Sequence, residues 1–473
     1  MELITKSQNK IVLNMVNEQV YDNTRFESYV SILRNKYQLN NKVLLIQSPQ
    51  FLFETLNLEI AKGRGCYAFP PAGLQCIAKA LKGKNLDIEF LDMNYEVLKR
   101  LIREPSFRIE TWLDILDNFI NKCNPSIIGV TCLTANGDVL RPNHPLTAML
   151  RHLRKRDDHI IMIGGPTPTS EHHDYLKQDL CHFVVTKEGE NKINFLIDSI
   201  YGNPNETPTT GIFFNFNDDV IETFGTSDAY SMRGNLIETY KNIPIEDYKN
   251  IGSLNPYSRM AGSDRIFATF QLNRGCKANC KFCDVSKFMG RGTRHYEVDD
   301  LLEEIKYLVK ERNVRHFEVL DDDFIGDSHA VVDFLKSLVE IKEEYGITWA
   351  ANNGLIAASI TEEIMDLCQK SGCVGFKIGI ESGNAEMLIK IRKPATLGLL
   401  RKRQPLLTKY PNMFVAGCYI LGLFEEEPFF QMMDTFRFMN EINLDWSSIT
   451  AFQVTSKETA LIENFKSKGG AAQ

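Results

Sequence analysis

Short apolar runs alternate with amphipathic stretches over the first part of the chain, beginning at Lys42. Strands that read as continuous apolar runs are typical of a parallel sheet, because helices cover both of its faces. The predicted strands are residues 43–46, 88–91, 127–131, 160–163 and 183–185, and the predicted helices are residues 71–81 and 145–153. The pattern predicts a doubly wound, Rossmann-like (flavodoxin-like) α/β domain at residues 41–200.

Ligands of doubly wound sheets bind in the crevice at the carboxyl ends of the strands. The loops expected to carry binding residues are therefore residues 49–70, 131–136, 164–170 and 186–190. Residues 1–40, before this domain, are polar and predict a weakly helical extension.

A second alternation of strands and helices begins at Arg265. The predicted strands are residues 266–270, 317–320, 347–350, 376–380, 415–421 and 448–454, and residues 299–310 show one apolar helical face. Six β/α units predict a partial (β/α)6 TIM-type barrel at residues 263–460, with its active site at the carboxyl ends of the strands. Residues 201–262 are expected to be a linker with a hairpin that turns near Asn217, and residues 461–473 a tail.

Three cysteines follow the first barrel strand in a C-x3-C-x2-C pattern: Cys276, Cys280 and Cys283. Soft thiolates at this density indicate a metal rather than three unconnected buried thiols. A structural zinc site normally has four protein ligands, but no second cysteine pair follows, and the nearest histidine is His295. Iron–sulfur clusters are held by such runs, and an iron without a protein ligand can take a substrate or cofactor. The spacing favours a cluster over zinc.

The segment at residues 274–283, RGCKANCKFC, resembles the signature of the radical S-adenosylmethionine (radical SAM) superfamily. The resemblance implies a 4Fe-4S cluster whose open iron chelates S-adenosylmethionine, and one-electron cleavage of that cofactor to a 5'-deoxyadenosyl radical. Further segments resemble the family's DD-x-F, GIES and GLPGE elements, at residues 321–324, 379–382 and 422–426. The residues thereby implied in binding S-adenosylmethionine are Phe282, Asp321, Asp322, Asp323, Glu381, Ser382 and Gly422.

Each of these assignments has an alternative. The three aspartates could form a solvated cap, and Glu381 could be a buried glutamate paired with Lys377 or Arg392. The sequence also departs from the family: Asn353 stands where an arginine is frequent, and the GLPGE turn has lost its Pro and Gly. Residues 457–459, KET, replace the family's PGT.

The N-terminal domain resembles the cobalamin-binding domain that precedes the barrel in one branch of this superfamily. The similar segments are residues 70–81, 90–94, 125–134, 163–169 and 187–190. The residues thereby implied in binding cobalamin are Thr131, Thr134, Gly164, Gly165, Thr167, Thr169, Glu188, Gly189 and Glu190. Residues 243–248 resemble the IP-x-x-DY segment that connects the two domains in this branch.

The D-x-H-x-x-G motif of other cobalamin carriers is absent from this domain, so we expect no imidazole ligand to cobalt. The family's arginine and glycine before the acidic turn are here Thr186 and Lys187. The alternative is a flavodoxin-like domain that has lost its ligand and only covers the barrel.

Composition limits the classes of partner. A net charge of −7 and a pI near 5.8, with no basic stripe, argue against a nucleic-acid binder. No apolar run in the sequence is long enough to span a bilayer, and eleven cysteines fit reduced thiols, so we expect a cytoplasmic protein without a membrane partner. The expected partners are an electron donor such as flavodoxin or ferredoxin, and a second subunit or copy that completes the open barrel.

The sequence thus predicts a cobalamin-dependent radical SAM enzyme that C-methylates a small or carrier-bound metabolite. A second hypothesis is a cobalamin-free or non-methylating radical SAM enzyme that catalyses cyclisation, ring contraction or epimerisation. A third is a non-catalytic iron–sulfur or zinc module that binds a partner.

Overall fold

The computed structural model describes residues 23–132, 139–203, 206–227, 229–326, 328–424 and 427–452. Within these ranges the strands form two large sheets and one short hairpin. Thr134 lies outside the described residues, as do residues 1–22, 425–426 and 453–473, so the predictions that fall on them have no structural counterpart here.

The first sheet has seven strands among the described residues, in the order β2-β1-β3-β4-β5-β6-β7. The first five strands of that order are parallel, and β6 and β7 pair antiparallel at the β5 edge. Its strands are β1 (Lys42–Gln47), β2 (Asp87–Asp92), β3 (Ile127–Thr131), β4 (Ile160–Gly164), β5 (Phe183–Val185), β6 (Ile212–Phe216) and β7 (Asp219–Glu222). The doubly wound domain is confirmed.

Helices cover both faces of this sheet because its strands carry apolar side chains on both sides. These helices are α1 (Thr24–Lys36), α2 (Leu58–Lys62), α3 (Ala72–Ala80), α4 (Met93–Arg103), α5 (Trp112–Cys123), α6 (Pro145–Arg156), α7 (Pro166–Lys177) and α8 (Glu190–Tyr201). Helix α1 lies inside the predicted extension, and its residues Phe26, Val30 and Leu33 are buried on the sheet. The loop expected over residues 164–170 is wrong beyond Gly165, where α7 begins.

The second sheet is a parallel, open set of six strands within the described chain, in the order β15-β14-β13-β12-β11-β8. The strands are β8 (Ile266–Phe270), β11 (Val314–Val319), β12 (Thr348–Leu355), β13 (Cys373–Glu381), β14 (Phe414–Leu421) and β15 (Trp446–Ala451). The helices are α12 (Val298–Glu311), α13 (Ser328–Tyr345), α14 (Glu362–Lys370), α15 (Ala385–Lys390), α16 (Leu397–Leu407) and α17 (Phe429–Ile442). The partial (β/α)6 barrel is confirmed.

The segment between the two sheets packs on both. It contains 3-10 turns (Ile237–Asn242 and Ile245–Asp247) and the short helices α9 (Tyr248–Ile251) and α10 (Pro256–Met260). The buried Tyr248 hydroxyl donates to Asp92 at 2.9 Å, and the Tyr95 hydroxyl donates to Asp247 at 2.6 Å. These bonds fix the connecting segment to the carboxyl end of β2 and to the first turn of α4. The domain boundaries, including those of the linker, stay a prediction.

Candidate active site

A cavity of about 590 Å³ lies between the carboxyl edge of the first sheet and the mouth of the barrel. From the first domain it is lined by Thr131, Gly164 and Gly189, and from the barrel by Gln271 and Asp322. Apolar side chains make up most of its remaining wall. A largely apolar cavity of this size with a few convergent polar groups is the usual form of a cofactor site.

The cysteine loop begins one residue after the two-residue strand β9 (Asn273–Arg274), which pairs with β10 (Arg294–His295). Gly275 has a φ of +85°, and a Cβ atom there would lie 2.4 Å from the carbonyl oxygen of Gly292. Only glycine fits both the backbone angle and the close approach of the two chains. The short helix α11 (Val285–Phe288) follows the third cysteine, and Met289, the next residue, lines the cavity.

Cys276, Cys280 and Cys283 are all half-buried on this loop. Burial raises the pKa of each thiol, and the neighbouring cysteines add to the rise at Cys276 and Cys283. The pKa of Cys283 reaches about 12. A metal would therefore be needed to hold these sulfurs as thiolates. No set of three cysteine, histidine or acidic side chains in the described ranges is gathered closely enough to hold a metal ion. The assignment of these cysteines rests on their spacing and donor chemistry.

The three aspartates after β11 have three different environments. Asp321 is buried and accepts hydrogen bonds from the backbone N–H groups of Leu272 and Asn273, at 2.9 and 2.6 Å, so it ties the cysteine loop to the end of β11. Asp322 lines the cavity, and burial, followed by the charge of Asp323, raises its pKa to about 6. Asp323 is fully buried, and burial also raises its pKa. Of the three, Asp322 is the one placed to contact a ligand.

Glu381 ends β13 in a strained backbone conformation, with a φ of +71° beside a register shift in the strand. Such angles are uncommon for glutamate and concentrate at functional sites. The carboxylate accepts a hydrogen bond from Lys393 Nζ at 2.7 Å, and the side chains of Lys393 and Glu381 are only 10% and 9% exposed. The partner of Glu381 is thus Lys393, and not Lys377 or Arg392.

The other residues implied in binding S-adenosylmethionine have mainly structural contacts. Ser382 is fully buried and accepts from the N–H of Asn384 at 3.1 Å. Gly422 has a φ of +72°, and its N–H donates to Glu427 at 2.6 Å. Phe282 packs against the apolar cluster that includes Leu423.

On the cobalamin side, glycines form the part of the cavity wall that follows β4. Gly165 has a φ of +107°, and a Cβ atom there would lie 2.8 Å from Thr131 Oγ1, so glycine is needed for the close approach of the loops after β3 and β4. Thr131 lines the cavity, and its hydroxyl donates to the Gly164 carbonyl at 3.1 Å.

Thr167 and Thr169 do not line the cavity. Both are buried in the first turn of α7. The hydroxyl of Thr169 donates to the Gly165 carbonyl at 2.8 Å and accepts from the Lys187 N–H, also at 2.8 Å. The proline-rich sequence gave no sign that these threonines belong to a helix.

Glu188, Gly189 and Glu190 all line the cavity, but arginines of the barrel engage both carboxylates. Glu190 accepts from Arg274 at 2.5 Å, and Glu188 accepts from Arg294 at 2.6 Å. Burial lowers the pKa of Arg274, but the neighbouring Cys76 and Glu190 outweigh burial and raise it overall. Sequence reasoning did not single out either arginine, although Arg274 lies inside the RGCKANCKFC segment.

The fold combines a doubly wound domain with a partial barrel, and residues of both line one cavity that is large enough for a cofactor. This combination defines a class of enzymes. The Radical SAM superfamily model matches residues 270–402, and the B12 binding domain model matches residues 65–195. These two matches together cover more than half of the chain.

Several known proteins are similar to this chain over most of its length. An uncharacterised methyltransferase of Pyrococcus horikoshii is 24% identical over 382 residues, which are 80% of this chain and 75% of that protein. The cytidylyl-2-hydroxyethylphosphonate methyltransferase of Streptomyces wedmorensis is 24% identical over 388 residues, 75% of this chain and 69% of that protein. The radical S-adenosylmethionine methyltransferase TsrM of Kitasatospora setae, solved with cobalamin and a [4Fe-4S] cluster, has the same fold, with a TM-score of 0.65 at 13% identity, covering 87% of this chain and 72% of that chain.

The chain therefore belongs to the radical SAM enzymes that carry a cobalamin-binding domain. Its cofactors are a 4Fe-4S cluster, S-adenosylmethionine and cobalamin. None of the described helices is both long enough and apolar enough to cross a lipid bilayer.

Proposed function

We propose that this enzyme transfers a methyl group to a carbon atom of a small or carrier-bound metabolite. The observation that carries the proposal is the shared cavity: its wall is formed by the glycine loops of the cobalamin-binding domain on one side and by the residues flanking the cysteine loop on the other. A substrate held there would lie between the two cofactors, which is the arrangement that methyl transfer to a substrate radical requires.

Each cofactor has fitting residues in this chain. Cys276, Cys280 and Cys283 would hold the cluster through three thiolates, which leaves one iron open. Asp322 and Glu381 lie at the carboxyl ends of barrel strands, where they would orient S-adenosylmethionine by hydrogen bonds. When bound, the cluster and S-adenosylmethionine supply radical hydrogen abstraction, and cobalamin carries the methyl group.

The chain's own residues position these parts and exclude water. Asp321 holds the start of the cysteine loop through two backbone N–H groups, and Lys393 holds Glu381 in place. On the opposite wall, Gly164 and Gly165 line the cavity with backbone atoms only. The apolar walls limit side reactions of reactive species with water.

Anaerobic reconstitution with S-adenosylmethionine, hydroxocobalamin and a chemical reductant tests the proposal. We expect corrin absorption that survives gel filtration, and mass spectrometry that detects 5'-deoxyadenosine together with S-adenosylhomocysteine. Formation of 5'-deoxyadenosine alone, without retained corrin, would support a cobalamin-free radical enzyme instead. One zinc per chain with no acid-labile sulfide would contradict the radical mechanism altogether.

The substrate and the electron donor belong to the same proposal. A small or carrier-bound metabolite and a low-potential protein donor such as flavodoxin or ferredoxin are the expected partners. Exchange of the chemical reductant for reduced flavodoxin tests the donor, since 5'-deoxyadenosine should still form.

A further inference from the structure

Four charged side chains meet where the two domains face each other. Arg274 Nη1 lies 2.5 Å from Glu190 and 3.4 Å from Glu188, and Arg294 Nη2 lies 2.6 Å from Glu188. Glu188 lies in the turn after β5 of the first domain, and Glu190 is the first residue of α8. Both arginines belong to the paired strands β9 and β10, which flank the cysteine loop. The four residues therefore connect the cavity wall of the cobalamin-binding domain to the strands that flank the cysteine loop of the barrel.

The central pair of this network is buried. The side chains of Arg274 and Glu190 are only 6% and 4% exposed. Removal of two charges from water is costly, so such a pair persists only where geometry and additional hydrogen bonds compensate. The barrel provides those bonds: Arg274 Nε donates to Gln271 at 3.1 Å, and Arg274 Nη2 donates to the Tyr296 hydroxyl at 3.0 Å.

We propose that Arg274, Arg294, Glu188 and Glu190 are positioning residues that form an interdomain ionic network. The network fixes the cysteine loop against the cobalamin-binding domain and so sets one relative placement of the two cofactors. In this proposal Glu188 and Glu190 bind the arginines of the barrel and do not bind the polar groups of cobalamin. The inference rests on the proposed function only in naming those two cofactors.

The network also couples the cavity to the domain contact. Gly189 lies between the two paired glutamates and lines the cavity, so a ligand that contacts this turn also orders the carboxylates that hold the arginines. Binding in the cavity should therefore stabilise the barrel as well as the first domain.

Calorimetry of the anaerobically purified 473-residue chain tests this inference. Wild type should unfold in one cooperative transition. Glu190→Gln leaves the buried Arg274 charge without its nearer carboxylate partner, so we expect the midpoint to fall by roughly 5–10 °C and the transition to split in two. The matched control is Glu441→Gln, which breaks an exposed pair with Arg401 inside the barrel and should shift the midpoint by about 1 °C at most.

A double variant separates charge burial from positioning. Glu190→Met with Arg274→Met removes both buried charges, so the midpoint should recover, but the two domains should still unfold separately. A single wild-type-like transition in this variant, or two transitions in wild type, would overturn the network. A Glu190→Gln variant that unfolds like wild type and loses only affinity for hydroxocobalamin would show instead that Glu190 is a cobalamin ligand.

Added hydroxocobalamin provides a further readout. In wild type it should raise the midpoint of the whole chain, whereas in the double variant it should raise only the transition of the first domain. An equal rise of both transitions in the double variant would contradict the coupling. If the wild-type chain bound no corrin, the proposed function would fail, while the calorimetry without ligand would still decide the network.

Discussion

Glu318 is a buried acid inside the barrel, on β11, and only 5% of its surface is exposed. One of its oxygens accepts from the backbone N–H of Asn352 at 2.6 Å. Burial raises the pKa of Glu318 to about 8, although Asn255, the Asn352 N–H and Lys377 each lower it in part. The carboxyl group is therefore protonated in the native state at neutral pH.

This raised pKa makes stability depend on pH. Between an unfolded pKa of 4.5 and a native pKa of about 8, the native state holds a proton that the unfolded chain has lost, so stability falls as pH rises. The glutamine of Glu318→Gln cannot ionise. The variant should therefore avoid this decrease in the free energy of unfolding, which is up to about 1.4 kcal/mol per pH unit in wild type. We expect equal melting temperatures near pH 4.5 and a more stable variant at pH 8.

Calorimetry across that pH range measures this effect, with Glu340→Gln, on the exposed face of α13, as the matched control. Parallel curves for wild type and Glu318→Gln would mean that the native carboxyl group titrates normally.

At the same scale, the sequence identified Glu381 but not its partner. The sequence offers Lys377 and Arg392 as partners, yet the observed partner is Lys393. A register shift beside Gly379 and the positive φ of Glu381 set the direction of its side chain. Neither feature is encoded in the spacing of the motif, so a residue type at a strand end was predictable and its contact was not.

At the scale of elements, apolar runs located every parallel strand of both sheets, but not every helix. Helix α2 lies inside the expected loop at residues 49–70, and α7 lies inside the expected loop at residues 164–170. The segment Gly164, Gly165, Pro166, Thr167, Pro168 resembles a loop because it is rich in glycine and proline. Proline is tolerated in the first helical turn, where the missing N–H would have no partner in any case, so α7 begins at Pro166.

The hairpin of β6 and β7 turns as expected through Asn217 and Asp218, which have φ angles of 54° and 64°. Its pairing with β5 extends the first sheet, although the sequence placed it in a linker. Turn residues predict a local hairpin, but they carry no information on which distant strand it joins.

The connecting segment provides a test of how elements are held together. Tyr248→Phe removes the hydroxyl that donates to the buried Asp92, and burial raises the pKa of that carboxyl to about 6. At pH 7.5 the charged carboxylate would lose a hydrogen bond, and the free energy of unfolding should fall by about 1–3 kcal/mol. At pH 5 the carboxyl group is protonated in the native state, so the loss should be smaller.

Urea unfolding at both pH values measures this difference. Tyr67→Phe, at a tyrosine that is 54% exposed, is the control and should have little effect at either pH. Equal losses at both pH values for Tyr248→Phe would contradict a bond that depends on the charge of Asp92.

At the scale of the whole molecule, the sequence predicted two domains and their cofactors but not how the domains face each other. The contacts that join them are long-range: Arg274 and Glu190 are 84 residues apart in the chain. Each residue lies in a segment that resembles its own family, and neither segment alone indicates the other. The cavity that both domains line is therefore a property of the folded chain.

The two cofactor sites should nevertheless load independently, because none of Cys276, Cys280 and Cys283 lines the cavity among the described residues. Two remaining thiolates cannot hold a four-iron cluster, so Cys276→Ala should lose nearly all of its iron and sulfide. The same variant should retain corrin through gel filtration, since its cavity wall is intact. The control is Cys418→Ala, a half-buried barrel cysteine outside the loop, which should keep both. Normal iron in Cys276→Ala would refute the ligand assignment, and loss of corrin with the iron would show that the cavity depends on the cluster.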